Sequence, residues 1–259
     1  GSENMAIGRS SLDALTTGAC NVAIGVDALG AATTGTYNIA LGCGAMGTGV
    51  AIIGGGACGC DNIAIGNHAL LAITQGTNNI GIGLTSSDAL LTGTDNIAIG
   101  RLSFSASTDG VSNIAIGQSA LAVSGNDADN NIAIGNTALG AGDVSGNHNI
   151  ALGASAMDAL TTGACNIAIG INALGAATTG CGNIAIGDKA MQAAVACGGS
   201  NQAEFNIAIG VCAGCSMSTT SCTTAIGWKA GRDVTTEAGV TNIGFMTNST
   251  TAAIIADDV

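Results

Sequence analysis

The chain has 259 residues, of which 42 are glycine and none is proline, while only 2% are aromatic and 8% are charged. A typical globular domain carries about 25% charged residues, so the composition argues against an ordinary one, and collagen is excluded because it needs proline with glycine at every third position. Its formal net charge of −12 removes the counterion release that drives non-specific nucleic-acid binding. We therefore expect no nucleic-acid partner. We also expect no membrane insertion, because no apolar run approaches the roughly 18 residues of a membrane span.

One motif, Asn-Ile-Ala-Ile-Gly with small variations, runs through the whole chain. It occurs fourteen times at a nearly constant spacing, as from Asn4 to Asn21, with longer intervals after Asn38, after Asn183 and after Thr223. Thirteen of the fourteen copies begin with asparagine. These first-position residues are Asn4, Asn21, Asn38, Asn62, Asn79, Asn96, Asn113, Asn131, Asn149, Asn166, Asn183, Asn206 and Asn242.

A second, longer sequence repeat is superimposed on the short motif. Residues 4–42 and 149–187 are nearly the same segment. The pattern predicts an eight-coil super-repeat that occurs once in full and then breaks off after six coils. The domain prediction is accordingly residues 1–148 and 149–259, both of one fold.

Each repeat contains a strand and a second apolar cluster. Isoleucine at positions two and four alternates with alanine at position three, which is the period of a β-strand, and the glycine at position five ends the strand. An Ala-Leu pair such as Ala28-Leu29 follows, and then a turn such as Thr-Thr-Gly. About 17 residues suffice for one circuit of a solenoid whose coils stack about 4.8 Å apart. The sequence therefore predicts an all-β, parallel β-solenoid of about 14 coils, with isoleucine ladders inside and an asparagine ladder that hydrogen-bonds between coils and fixes the register.

Position three is always alanine or glycine. If isoleucine faces the interior, this residue faces outward, and its constant small size predicts a subunit interface where another backbone packs closely. The alternative is a tight interior position of a single-chain roll. The candidate interface alanines are Ala6, Ala23, Ala40, Ala64, Ala98, Ala115, Ala133, Ala151, Ala168, Ala185, Ala208 and Ala225.

Ten cysteines are many for such a chain, and their even number suits an oxidising compartment. The alternatives are disulfides and small buried residues that replace alanine or serine. The candidates are Cys20, Cys43, Cys58, Cys60, Cys165, Cys181, Cys197, Cys212, Cys215 and Cys222. Cys165 and Cys181 are one coil apart, which makes a bridge between them conceivable. The two histidines, His68 and His148, stand alone in different coils, so we expect no catalytic site, metal or cofactor.

The Asn-Ile-Ala-Ile-Gly motif followed by Ala-Leu and a Thr-Thr-Gly turn resembles the head repeats of YadA-type trimeric autotransporter adhesins and related repeats in bacteriophage tail fibres. The resemblance covers residues 4 to about 246. It implies a left-handed parallel β-roll, three chains around one axis, and attachment at a cell or virion surface. One departure is the length of the coil, which is greater here than is usual in adhesin heads.

The functional expectation is a non-enzymatic, extracellular attachment segment, an adhesin head or tail-fibre shaft, that forms a homotrimer and binds a host-surface receptor. A receptor site is expected in the longer coils 43–61 and 188–205. The aromatic residues Tyr37, Phe104 and Phe205, with Trp228, are interpreted as exposed but too scattered to form a sugar-stacking groove. Two alternatives are a self-assembling extracellular filament subunit and an ice-binding β-solenoid.

Overall fold

The computed structural model describes residues 1–48, 59–124, 128–140, 142, 144–193, 204–218, 220–235 and 237–248. These residues form fourteen strands of three residues each and no helix. The strands are β1 (Met5–Ile7), β2 (Val22–Ile24), β3 (Ile39–Leu41), β4 (Ile63–Ile65), β5 (Ile80–Ile82), β6 (Ile97–Ile99), β7 (Ile114–Ile116), β8 (Ile132–Ile134), β9 (Ile150–Leu152), β10 (Ile167–Ile169), β11 (Ile184–Ile186), β12 (Ile207–Ile209), β13 (Thr224–Ile226) and β14 (Thr241–Ile243).

The chain divides into two compact units, Gly1–Asn130 (unit 1) and Asn131–Val259 (unit 2). Unit 1 holds β1 to β7, and each strand pairs in parallel with the next one along the chain. Unit 2 holds β8 to β14 in the same arrangement. Each unit is thus a parallel β-solenoid, and the predicted fold class is confirmed. The super-repeat boundary after residue 148 stays a prediction.

Glycine at position five ends each strand because no other residue fits there. Gly170, for example, has φ of 137°, a conformation that is open only to glycine. A Cβ atom on it would also collide with the backbone carbonyl of Gly187 and lie 3.0 Å from the amide nitrogen of Asp188, both in the next coil. The close stacking of coils therefore explains why this glycine recurs.

The segment after the glycine, which we call the second arm, is hydrogen-bonded to both neighbouring coils without being a strand. Asn172 and Leu174 have φ of 53° and 51°. The amide of Asn172 donates to Ala154 of the preceding coil, and that of Leu174 to Ala190 of the following coil, both at 3.0 Å. The N–H groups of these two left-handed residues therefore point to opposite neighbours in the stack, while that of Ala173 between them donates to Gly170 of its own coil. The second arm thereby satisfies its buried backbone groups.

Position three of the motif points into the interior, which is opposite to the predicted orientation. Every alanine of the candidate interface except Ala6 is 0% exposed, namely Ala23, Ala40, Ala64, Ala98, Ala115, Ala133, Ala151, Ala168, Ala185, Ala208 and Ala225. Gly81 occupies the same position, and a Cβ atom on it would lie 2.9 Å from Cγ of Leu70 and 3.2 Å from Oγ of Ser86. The interface prediction is therefore wrong for these buried alanines, whereas Ala6 is exposed in the first coil and its place in an interface stays a prediction. The small size of the buried alanines reflects the second arm of their own solenoid, as in the alternative interpretation.

The large core residues come from the second arm. Fully buried examples are Leu70, Leu121, Met157, Leu174 and Phe104. Phe104 was expected at the surface, and its burial corrects that expectation. The interior is thus filled by large residues of the second arm and the turn after it, against the alanines at position three, while the isoleucines at positions two and four stay outside it.

Candidate functional surface: an asparagine ladder and an aliphatic ribbon

The first-position asparagines form a buried hydrogen-bonded ladder within each unit. Asn96 is 1% exposed, and both its backbone nitrogen and its Nδ2 donate to Oδ1 of Asn79 at 3.0 Å. Its Nδ2 also donates to the carbonyl of the turn glycine Gly110 at 2.6 Å. The same pattern joins Asn149 to Asn166 in unit 2. Each asparagine therefore ties its strand both to the preceding coil and to its own closing turn.

The ladder ends differently from the sequence prediction. Strand pairing places Asn242 opposite Ala225, and therefore at position three. Gly244, with φ of 128°, holds position five, as Gly227 does with 127°. Asn242 is consequently not a ladder member, and its assignment was wrong by two positions. Val240 stands at the first position, so the last interval, from Thr223 to Val240, equals the regular one from Asn206 to Thr223.

The isoleucines at positions two and four face outward and form what we call the aliphatic ribbon. None of its members is buried; Ile24 is 36% exposed, Ile65 37%, Ile134 39% and Ile243 64%. In unit 1 the ribbon comprises Met5, Ile7, Val22, Ile24, Ile39, Leu41, Ile63, Ile65, Ile80, Ile82, Ile97, Ile99, Ile114 and Ile116. In unit 2 it comprises Ile132, Ile134, Ile150, Leu152, Ile167, Ile169, Ile184, Ile186, Ile207, Ile209, Ile226 and Ile243, with Thr224 and Thr241. Contiguous apolar faces of this kind mark interaction surfaces in soluble proteins.

The cysteines are divided between disulfides and free thiols. Cys212 and Cys215 form a disulfide with Cα atoms 4.8 Å apart, and Cys60 is disulfide-bonded as well. Five others are free, which corrects their assignment as disulfide candidates: Cys20, Cys43, Cys165, Cys181 and Cys222. Cys165 is exposed and forms no bridge to Cys181, whose Sγ instead accepts the amide of Ala164 at 3.4 Å. Cys58 and Cys197 lie outside the described residues.

Cys20 has a specific partner in the preceding coil. Its Sγ donates a hydrogen bond to Oε2 of Glu3 at 3.2 Å. This hydrogen bond raises the pKa of the Cys20 thiol, and desolvation and the negative charge of Glu3 act in the same direction. The thiol form is therefore favoured, which makes Cys20 a weak nucleophile.

An open groove with a volume of about 390 Å³ lies on the second arms of unit 1. Its lining includes Asp13, Asp27 and His68, together with the glycines Gly44 and Gly47. The imidazole of His68 lies over Gly44. The corresponding positions of the second super-repeat hold lysine and glutamine instead of these two glycines. The two super-repeats therefore differ in sequence at this surface.

The aromatic residues are distributed differently from the expectation. Trp228 stacks on Phe245 with ring centroids 4.9 Å apart, and Nζ of Lys229 lies 4.1 Å from the centroid of the Trp228 ring. Tyr37 and Phe205 are exposed and lie in other coils. Adjacent coils therefore bring two aromatic rings together, a pairing that the sequence indicates only through the one-coil spacing of Trp228 and Phe245. The expected receptor loops, 43–61 and 188–205, lie largely outside the described residues.

Over the described ranges, no three His, Cys, Asp or Glu side chains come together in a way that could hold a metal ion. In the same part of the chain, no helix has the length and apolar character needed to cross a bilayer. Comparison with family models, curated proteins and solved structures found no match for this chain.

Proposed function

We propose that the chain is a non-enzymatic structural segment of a fibrous attachment protein, an adhesin head or a tail-fibre shaft at a cell or virion surface, and that it works as a homotrimer. The observation that carries this proposal is the aliphatic ribbon. A row of outward side chains that are mainly isoleucine is unfavourable in water, and burial against a partner removes that penalty.

The interior of the solenoid supports a structural role. The asparagine ladder supplies several buried hydrogen bonds per coil, and the backbone of the second arm is bonded to both neighbours. Such a stack derives its stability from contacts between successive coils. It holds an outward surface at a fixed spacing of about 4.8 Å, which suits a rigid spacer better than a hinged enzyme.

The threonines of the turns argue for the attachment role over ice binding. The hydroxyl of Thr16 donates to the carbonyl of Thr33 at 2.9 Å, and that of Thr161 to the carbonyl of Thr178 at 2.8 Å. These hydroxyls are therefore engaged within the solenoid. The ribbon, in contrast, holds mainly aliphatic side chains, which favour another protein surface over ordered water.

Light scattering of the purified chain tests the proposal. We expect a mass of about 74 kDa, three times the 24.6 kDa chain, with and without reductant. A particle of 24.6 kDa would contradict the trimer and make thermal hysteresis the next measurement. A mass that grows with concentration, with rods in electron micrographs, would favour an end-to-end filament instead.

Matched variants identify the surface involved. The double variant Ile24→Lys with Ile65→Lys places charge on the ribbon at side chains 36% and 37% exposed, and should dissociate the trimer. Leu91→Lys with Val123→Lys is the control, because these side chains are 39% and 44% exposed and lie outside the ribbon. Equal effects of the two double variants would remove the ribbon from the interface.

A further inference from the structure

Two coils of unit 1 carry an acid and a base at opposite borders of the ribbon. The residue before the first-position asparagine borders the ribbon on one side, and the residue after the glycine borders it on the other. We call these rows the leading flank and the trailing flank. The outward side chains are Glu3, Met5, Ile7 and Arg9 in the first coil, and Asp95, Ile97, Ile99 and Arg101 in the sixth. Glu3, Arg9, Asp95 and Arg101 are all exposed.

Arginine is scarce in this chain, and this arrangement contains most of it. The chain has only three arginines, and two of them, Arg9 and Arg101, lie in the trailing flank of unit 1. Each shares its coil with a carboxylate in the leading flank. The leading flank of unit 1 is Glu3, Cys20, Tyr37, Asp61, Asn78, Asp95 and Ser112, and the trailing flank is Arg9, Val26, Cys43, Asn67, Leu84, Arg101 and Gln118. One border is therefore acidic and the other basic.

The acid and the base of one coil are too far apart to pair within the chain. Asp95 and Arg101 lie on either side of the strand Ile97–Ile99, and at about 3.3 Å per residue they are roughly 13–20 Å apart across the ribbon. Asp95 instead accepts a hydrogen bond from Nδ2 of Asn78 at 3.1 Å. Arg9 lies 3.9 Å from Asp27, with both side chains at least half exposed, an arrangement that contributes little.

We propose that the ribbon of unit 1 is covered by the ribbon of a second copy of this chain, parallel and in register, so that Glu3 and Asp95 of one copy face Arg9 and Arg101 of the next. Rotation about an axis along the stacking direction brings the leading flank of one chain against the trailing flank of its neighbour at the same coil. Antiparallel packing would set the acidic flank against itself, and like charges in apposition oppose association. The inference rests on the proposed self-association and adds its direction and register.

The size of the surface suits a stable contact. Seven strands at about 4.8 Å, with about 13–20 Å between flanks, give a flat footprint of roughly 35 by 13–20 Å in unit 1 alone. The upper end approaches the roughly 800 Å² per partner of a standard protein interface. Its centre is aliphatic and its borders are charged, which is the anatomy of a specific association surface.

A charge-swap cycle on the full chain tests the inference. Asp95→Lys or Arg101→Glu alone places like charges across each contact, and we expect either to weaken association by about three- to tenfold per interface at low salt. The double variant Asp95→Lys with Arg101→Glu restores opposite charges and should return to within about twofold of the parent. Dissociation constants from sedimentation at a series of dilutions give the readout.

The control keeps net charge constant. Asp109→Lys combined with Arg101→Glu also leaves the net charge unchanged, but Asp109 is an exposed turn residue outside both flanks. This pair should show no recovery over Arg101→Glu alone. The parallel register is wrong if the double variant Asp95→Lys with Arg101→Glu self-associates no more tightly than the single variant with the lower affinity, while the parent still associates. The proposed function would then stand. A parent chain that stays monomeric overturns both.

Discussion

Oδ1 of Asn62 accepts two hydrogen bonds from Asn79, one from its backbone nitrogen at 3.0 Å and one from its Nδ2 at 3.1 Å. Asn79 in turn offers its own Oδ1 to Asn96 in the same way. Both asparagines of the first pair are at most 1% exposed. The asparagine side chain therefore satisfies buried donors in its own coil and in the next. Loss of one asparagine leaves unpaired hydrogen-bonding groups in two coils.

Replacement of Asn79 by alanine should lower the free energy of unfolding by about 3 kcal/mol, because buried backbone and amide groups then lose their partners. Urea unfolding measures this change. Asn67→Ala is the matched control, since Asn67 is an exposed asparagine outside the ladder whose φ is not in the left-handed region, and we expect a change below about 0.5 kcal/mol. Similar values for the two variants would show that the ladder contributes no special stability.

The sequence predicted the period, the strands and the ladder because asparagine and glycine have narrow physical roles here. Asparagine alone offers a donor and an acceptor that fit between stacked coils, and the glycine conformation at Gly170 excludes side chains. The orientation of the strand was predicted wrongly because hydrophobicity alone assigned isoleucine to the interior. The leucines of the second arm already fill that space, as the contact of Leu70 with position three shows.

The misplaced Asn242 has a related cause. The sequence Asn242-Ile243-Gly244 resembles the start of the motif, so alignment on the asparagine places Asn242 at position one. The constraint lies in the glycine, since Gly227 and Gly244 are one regular coil apart and share the same unusual φ. Counting back from glycine gives the observed register.

A pair of substitutions on one strand tests the corrected orientation. Ala98 is 0% exposed, so Ala98→Ile should overpack the interior and lower the free energy of unfolding by about 1–3 kcal/mol or more. Ile99→Ala, on the ribbon, should change the stability of the dilute chain by less than about 1 kcal/mol and weaken self-association instead. Urea unfolding at low concentration and light scattering at high concentration separate the two effects. The reverse pattern would restore the alanine face as the outer surface.

The Glu3 contact makes a prediction about thiol reactivity. Because the pKa of the Cys20 thiol is raised, little thiolate exists at pH 8, and alkylation by iodoacetamide should be slow and accelerate with rising pH. Glu3→Ala removes the acceptor and the charge, and should speed alkylation of Cys20 by at least about twofold at pH 8. Cys165 occupies the equivalent place in the second super-repeat and serves as the internal control, followed by mass spectrometry of its peptide. An unchanged alkylation rate of Cys20 in the Glu3→Ala protein would show that the hydrogen bond to Glu3 does not control the reactivity of the thiol.

Asp158 offers a test of stability against pH. Burial raises the pKa of its carboxyl, and hydrogen bonds from the backbone amides of Asp158 and Ala159 oppose the shift without cancelling it. A carboxyl with a raised pKa in the folded state stabilises the fold when it is protonated, that is, below its unfolded pKa of about 3.9. This contribution is lost as the pH rises through the folded pKa. The charged carboxylate therefore slightly destabilises the fold at neutral pH.

Asp158→Asn should accordingly unfold at a higher urea concentration than the parent at pH 7, by less than about 1 kcal/mol because the side chain is partly exposed, and the difference should vanish near pH 3. Asparagine keeps the side-chain oxygen that accepts the backbone amides and removes only the charge. Asp233→Asn is the control of opposite sign, because Arg232 lies 3.0 Å from Asp233 and holds the pKa of that carboxyl below its usual value. It should give no gain at pH 7. If the parent is as stable as Asp158→Asn at neutral pH, or more stable, water solvates the Asp158 carboxylate well enough that its charge does not destabilise the fold.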